Sequence, residues 1–184
     1  MSRIPLIDRN ATDPQRQQLL EPIHKAFGTT PNMFRAVANS PAALRSMWGS
    51  FGALGAGKLG AALGEQIAVA VANRNRCEYC LAAHTVLGAN AGVNADVMGQ
   101  AQQGKSPDGR TQAALTFALR LVEARGQVSE ADLQAVRKAG FDDEAVMEIM
   151  AHVALNLFTN YVNIAFAVPV DFPHVALTPA AHAA

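Results

Sequence analysis

The chain is short of cysteine, short of charge and without net charge, and each shortage excludes something. Two cysteines in 184 residues cannot build the disulfide lattice of a small secreted domain. At the spacing Cys77-x-x-Cys80 they suit redox or metal chemistry better than a structural staple. Charged residues make up 16% of the chain, 15 basic against 15 acidic, and no basic stripe follows the spacing of a phosphate backbone. A nucleic-acid partner is therefore not expected, and the substrate is expected to be small or uncharged. Long apolar runs are missing as well, none approaching the roughly 18 residues of a membrane span. The opening Met1-Ser2-Arg3-Ile4-Pro5-Leu6-Ile7-Asp8 meets an acid before any apolar stretch long enough for a signal peptide. These features predict a cytoplasmic protein without membrane contact. Alternation of polar and apolar residues is absent too, so no strand is expected.

What the chain has in plenty is small apolar residues. Half of it is apolar, much of that alanine, more than one small domain can easily hide, which predicts a homo-oligomer. The length suits one domain, residues 1–184. Helices are predicted from about Pro14 to Ala26, from Asn32 to Ala38 after the Gly28-Thr29-Thr30-Pro31 turn, and from Pro41, capped by Ser40, to about Leu54. Gly55, Gly57 and Gly60 are expected to loosen the chain before a helix from Ala62 to Asn73 and a cysteine helix ending near Asn90-Ala91-Gly92. Beyond the Gly104–Gly109 loop lie helices from Arg110 to Arg125, from a Ser129/Asp132 capping box to Gly140, and from an Asp142 or Asp143 cap toward Pro169. The last carries Val146, Ile149, Met150, Val153, Leu157 and Tyr161 at three- and four-residue steps. The whole reads as all-α with seven or eight helices and short connections, ending in a frayed tail from Thr178 to Ala184.

The candidate site is Glu65, Cys77, Cys80 and His84. On a helix over 77–90, Cys77, His84 and Cys80 would fall at about 0°, −20° and −60°, one stripe facing a common space. Residues three apart on a helix have Cα atoms about 5 Å apart, inside the roughly 4.4–6.8 Å that a disulfide tolerates, so such a pair can open and close without rebuilding the backbone. A thiol is nucleophilic as thiolate, and two influences favour ionisation: a helix start near Asn75, beside Cys77, and the His84 imidazole one turn beyond Cys80. The first favours Cys77 and the second Cys80. A thiolate that expels a basic leaving group needs a proton delivered to that group, which an imidazole oriented by a carboxylate supplies. A cysteine oxidised to sulfenic acid condenses with a neighbouring thiol.

Glu65, eleven residues, Cys77-x-x-Cys80, three residues and His84 resemble the active-site signature of the alkylhydroperoxidase D-like proteins of the carboxymuconolactone decarboxylase superfamily. The Pro31-Asn32-Met33-Phe34-Arg35 segment, the Ser40-Pro41 helix start and the Asn156 to Pro173 region with Asp171-Phe172-Pro173 look like the peroxidase-related branch, with the core motif region at about 42–125. The resemblance implies an alkylhydroperoxidase D-like helical bundle assembled as trimers or hexamers. It also implies a thiol-dependent peroxidase that reduces organic hydroperoxides with a dithiol or protein reductant and without cofactor or metal. Cys80 would attack the peroxide, Cys77 would resolve the sulfenic acid, and Glu65 and His84 would form the proton relay. Tyr79 stands where the founding enzymes have a histidine.

Other readings of the same residues are blander. The cysteines could be small core residues, or zinc ligands with His84 and Glu65, although structural zinc sites usually draw their second ligand pair from a separate element. A carboxymuconolactone-type decarboxylase would not require the cysteine pair, and a non-catalytic redox sensor would. His152, on an apolar helix, reads as a hydrogen-bonded core histidine, and His24, His174 and His182 as surface or tail residues. Asn156, Asn160 and Asn163 share one helical face and suit backbone bonding or a subunit contact. Met47, Trp48 and Phe51 read as core or interface.

Overall fold

A computed structural model describes residues 1–179. They are all-α, as expected, with no strand among the described residues. A 3-10 turn at Arg9–Ala11 precedes α1 (Pro14–Phe27), α2 (Asn32–Val37), α3 (Pro41–Gly55), α4 (Ala61–Arg74), α5 (Glu78–Asn90), α6 (Ala95–Gln102), α7 (Gly109–Glu123), α8 (Glu130–Lys138) and α9 (Asp143–Ala165).

Local chemistry explains most boundaries. Asp13, Ser40, Asn94, Asp108, Ser129 and Asp142 each accept a backbone N–H of the first turn, satisfying a donor that the helix itself cannot. Pro14 and Pro41 open α1 and α3, where the missing N–H costs nothing. Gly28, at φ 71°, closes α1 in the left-handed region.

Three expectations need correction. A ninth helix, α6, occupies residues for which no element was expected: it is one short turn-pair interrupted by Gly99, so its periodicity is faint. The Gly55–Gly60 stretch is not loose, because the Glu148 carboxylate accepts from Lys58 N at 2.8 and 2.9 Å and from Leu59 N at 3.0 Å. The start of the presumed frayed tail is anchored. Thr178 N donates to Asn73 Oδ1 at 3.0 Å, and Thr178 Oγ1 accepts from Asn73 Nδ2 at 2.9 Å. The remainder of that tail, with His182, lies outside the described residues.

The centre of the fold is α4, which packs against α5, α6, α7 and α9. Ile67, Val69 and Val71 are completely buried, each contributing about 1.5–3 kcal/mol of transfer free energy. A helix enclosed on most sides has little use for polar groups, so its half-buried Glu65 stands out. No described helix is long and apolar enough to cross a membrane.

Candidate active site

The turn between α4 and α5 places the cysteines. Cys77 N donates to Ala72 O at 2.9 Å and Arg76 N to Asn73 O at 3.1 Å, with Arg76 left-handed at φ 61°. This is the paired closure of a Schellman motif, with arginine where glycine is usual. The closure leaves Cys77 extended, at φ −93° and ψ 94°, as the cap of α5. The expected helix start near Asn75 is therefore three residues early, and Cys77 does not sit on the helical stripe. Its sulfur instead accepts the N–H of Cys80 at 3.4 Å, taking the part usually played by serine or aspartate.

Cys80 and His84 are both on α5, one turn apart, and α4 presents Glu65 opposite them. Glu65 Oε2 lies 2.7 Å from His84 Nδ1. From α9, Asn163 Nδ2 donates to Cys80 Sγ at 3.2 Å. The structure thus brings all four predicted residues together and adds Asn163. Both thiols are free, and they are 1% and 2% exposed at Cys77 and Cys80.

The two sulfurs differ electrostatically. Burial is the largest influence on Cys80 and pushes its thiol up. The Cys77 hydrogen bond, the His84 imidazole and the Asn163 and Thr159 side chains outweigh it and bring it down to about 6. Cys77 is driven strongly upward, by its hydrogen bond with Cys80 and then by burial. Burial opposes protonation of His84, yet the charge and hydrogen bond of Glu65, with a contribution from Cys80, prevail and raise it. The arrangement favours a thiolate at Cys80 beside an imidazolium that Glu65 orients.

Above this group opens a cavity of about 460 Å³, lined by Glu65, Cys80 and His84 at one end and by Phe27, Phe34, Trp48, Phe51 and Phe172 around the sides. Trp48 stands edge-on to Phe34 at 5.6 Å, in the arrangement favoured by ring quadrupoles. Trp48 and Phe51, read from sequence as core or interface, are cavity walls, whereas Met47 is fully buried core. Phe172 comes from the segment after α9. Asp171 Oδ2 accepts from Asn32 N at 2.8 Å, so the Pro31–Arg35 and Asp171–Pro173 segments form one corner of the cavity. Tyr79 stands edge-on to Phe172 at 5.7 Å, and its hydroxyl accepts from Met33 N at 3.1 Å.

The asparagine face of α9 is buried inside the subunit rather than placed for a subunit contact, with Asn156, Asn160 and Asn163 at 4%, 0% and 3% exposure. Asn156 bonds the backbone of its own helix, and Asn160 Oδ1 accepts from Asn75 Nδ2 at 2.9 Å. The expectation for His152 also needs correction, since its buried Nε2 has no partner among the described residues. Its ring lies over Gly64, near Glu65 and His84, and burial holds its pKa down. His24 Nδ1 is 3.2 Å from Thr30 Oγ1, and His174 is exposed. Among the described residues no three histidine, cysteine or acidic side chains converge as a metal site would require.

The helical architecture is consistent with an alkylhydroperoxidase D-like bundle, and residues 41–124 match the carboxymuconolactone decarboxylase family. The family match and the fold neighbours together support an alkylhydroperoxidase D-like member of that superfamily. It is similar to the alkylhydroperoxidase AhpD core, a peroxidase-related protein of Ralstonia eutropha JMP134, at 28% identity over 92% of both chains with a TM-score of 0.82. A peroxidase-related protein of Silicibacter sp. TM1040 is 25% identical, over 95% of this chain and 92% of its own, at a TM-score of 0.79. The debrominase Bmp8 shares the fold at 22% identity and a TM-score of 0.77, over 92% of this chain and 91% of its own. No curated protein matches.

Proposed function

We propose that the protein is a thiol-dependent peroxidase that reduces organic hydroperoxides to alcohols. The observation carrying this reading is the Glu65–His84–Cys80 line at the end of an apolar cavity. The Cys80 thiolate attacks the terminal peroxide oxygen, the O–O bond breaks, and the alkoxide takes the proton that His84 holds. Cys80 is then a sulfenic acid. Cys77 Sγ displaces its hydroxide, which leaves as water with the proton released by Cys77, and a disulfide results. Glu65 keeps the imidazole oriented and protonated, and Asn163 stabilises the thiolate by a hydrogen bond to sulfur. The cost of attack falls because the nucleophile is ionised at neutral pH and the acid is already placed.

The test is consumption of cumene hydroperoxide with dithiothreitol as reductant. The reading predicts catalytic turnover and one disulfide per chain after peroxide alone. A disulfide without turnover would make the protein a redox sensor. Neither turnover nor disulfide, with decarboxylation of a muconolactone-type acid, would make it a decarboxylase.

A second reading is favoured by the aromatic, uncharged cavity wall, which suits a flat ring. One fold neighbour is a debrominase, solved with 2,3,4-tribromopyrrole. The same groups could perform reductive dehalogenation: Cys80 takes the halogen, His84 protonates the ring carbon, and Cys77 releases halide as the disulfide forms. Halide release from a halogenated pyrrole, faster than hydroperoxide reduction, would select it.

A further inference from the structure

We propose that His152 is the proton port of the site: through a small polar chamber between α4 and α9 it passes protons between solvent and the Glu65–His84 pair, by a route separate from the aromatic cavity. The inference rests on the proton role given to His84 above and adds a residue and a path to it.

Behind the pair lies a chamber of about 100 Å³, with room for a few waters. Glu65, His84 and Phe51 border both this chamber and the aromatic cavity, so the pair stands in the wall between the two. Cys80 lines the aromatic cavity and not the chamber. On the far side α9 supplies His152 and, one turn on, Asn156. His152 Nε2 and Asn156 Oδ1 are both buried and have no hydrogen-bond partner among the described residues. Buried polar atoms are rarely left unpaired, and two on one small chamber that also holds a carboxylate and an imidazole suit a hydrated space rather than a dry one.

Gly64 lets the ring come this close. A Cβ there would stand 2.9 Å from His152 Cε1, so the imidazole lies against α4 beside Glu65 only because the position has no side chain. Burial holds the His152 pKa down, and His84 on α5 acts in the same direction, against Glu148 one turn earlier on α9 and Glu65 on α4. A neutral imidazole carries one N–H and one bare nitrogen, so it takes a proton on one side and gives one up on the other. At the outer end Gly55 and Ala61 are exposed and line the chamber. Glu148 is half-buried beside them on the N–H groups of Lys58 and Leu59.

The proton balance of the reaction calls for such a path. In each turnover His84 gives one proton to the alkoxide. Disulfide formation then consumes the Cys77 proton in making water and returns none to His84. The dithiol that reduces the pair brings two protons. One stays on Cys77; because Cys80 ends as a thiolate, the other passes to solvent, and His84 takes one back. The aromatic cavity is a poor way in for it, since phenylalanine and tryptophan rings wall it and the product alcohol occupies it. Through His152 a proton enters on one ring nitrogen, and the proton on the other crosses the chamber to the Glu65–His84 pair.

The test reads exchange of the His84 ring N–H protons with water, by saturation transfer in the reduced protein labelled at its histidine nitrogens. The signals are assigned by their loss in His84→Gln. His152→Phe keeps a ring over Gly64 but removes both nitrogens, and it should slow exchange by about tenfold or more, because the group that takes and gives the proton is gone. Gly55→Leu and Ala61→Leu, at exposed positions on the mouth of the chamber, leave His152 in place and should slow it too. Val86→Trp narrows the aromatic cavity and should leave exchange unchanged. Loosened packing speeds exchange, so a purely structural role of His152 gives the opposite sign. An unchanged or faster rate in His152→Phe would overturn the inference, as would slowing of equal size in Val86→Trp. Should His152→Phe fail to fold, the two leucine variants decide, and no slowing in either overturns it. No peroxide enters the measurement, so a lack of peroxide turnover defeats the proposed function while exchange still decides the port.

Discussion

Cys80 and Cys77 are three residues apart and chemically opposite. The Asn163 amide, the His84 imidazole and the Cys77 hydrogen bond bring Cys80 down to about 6, against the pull of burial, from an ordinary 9.0. The sign follows directly: the reactive species is the deprotonated one, so the rate of reaction with peroxide should rise as pH climbs through about 6 and level off above it. Stopped-flow rates from pH 4.5 to 9 check this, and a rise centred near 9.0, the value of an unperturbed thiol, would contradict it. His84→Ala removes the positive end and should move that midpoint up by about one unit, equivalent to about 1.4 kcal/mol. Asn163→Ala should shift it the same way and Asn163→Asp further, by placing a carboxylate against the sulfur. The four residues of the motif were legible because their types and spacing have few other uses. Asn163 was legible only as one of three asparagines on a face, since nothing local says which of them meets a sulfur that lies 83 positions away.

Helix ends were legible from the sequence wherever a cap residue announces them, as at Ser40, Ser129 and Asp142. The start of α5 was not, because a cysteine serves as its cap and an arginine takes the left-handed position before it. That one turn decides the orientation of Cys77. A second element-scale feature is the contact of α9 with α4. A Cβ on Gly64 would stand 2.9 Å from His152 Cε1, whereas one on Gly52 of α3 would meet nothing within 4 Å. Alanine is better than glycine in a helix by about 1 kcal/mol, but overpacking costs typically 1–3 kcal/mol. Gly52→Ala should therefore raise the thermal midpoint and Gly64→Ala lower it, by roughly 2–4 °C per kcal/mol for a chain of this size. Calorimetry checks both. In a His152→Ala background the loss from Gly64→Ala should largely disappear, and a persistent loss would show that the ring is not its cause.

The whole molecule leaves apolar side chains outside. Met147 is 67% exposed and Tyr161 60%, both on α9, with Met150 and Phe158 at 36% and 37%. A stripe of this kind on one helix suits burial against further copies of the chain. We expect trimers or hexamers in light scattering, and Tyr161→Glu should break them; a monomer at all concentrations would contradict the expectation. The all-α class was legible because helical periodicity and caps recur along the chain. The cavity was not, because Phe172 reaches it from the far end of the sequence and joins Phe27, Phe34, Trp48 and Phe51 only when the segment after α9 returns to Asn32. The central claim is that Cys80 is the sulfur that attacks. Dimedone trapping of the two serine variants after one equivalent of peroxide, read by mass spectrometry, tests it most directly. The account predicts label on Cys80 in Cys77→Ser and none in Cys80→Ser; label on Cys77 in Cys80→Ser, with none on Cys80 in Cys77→Ser, would contradict it.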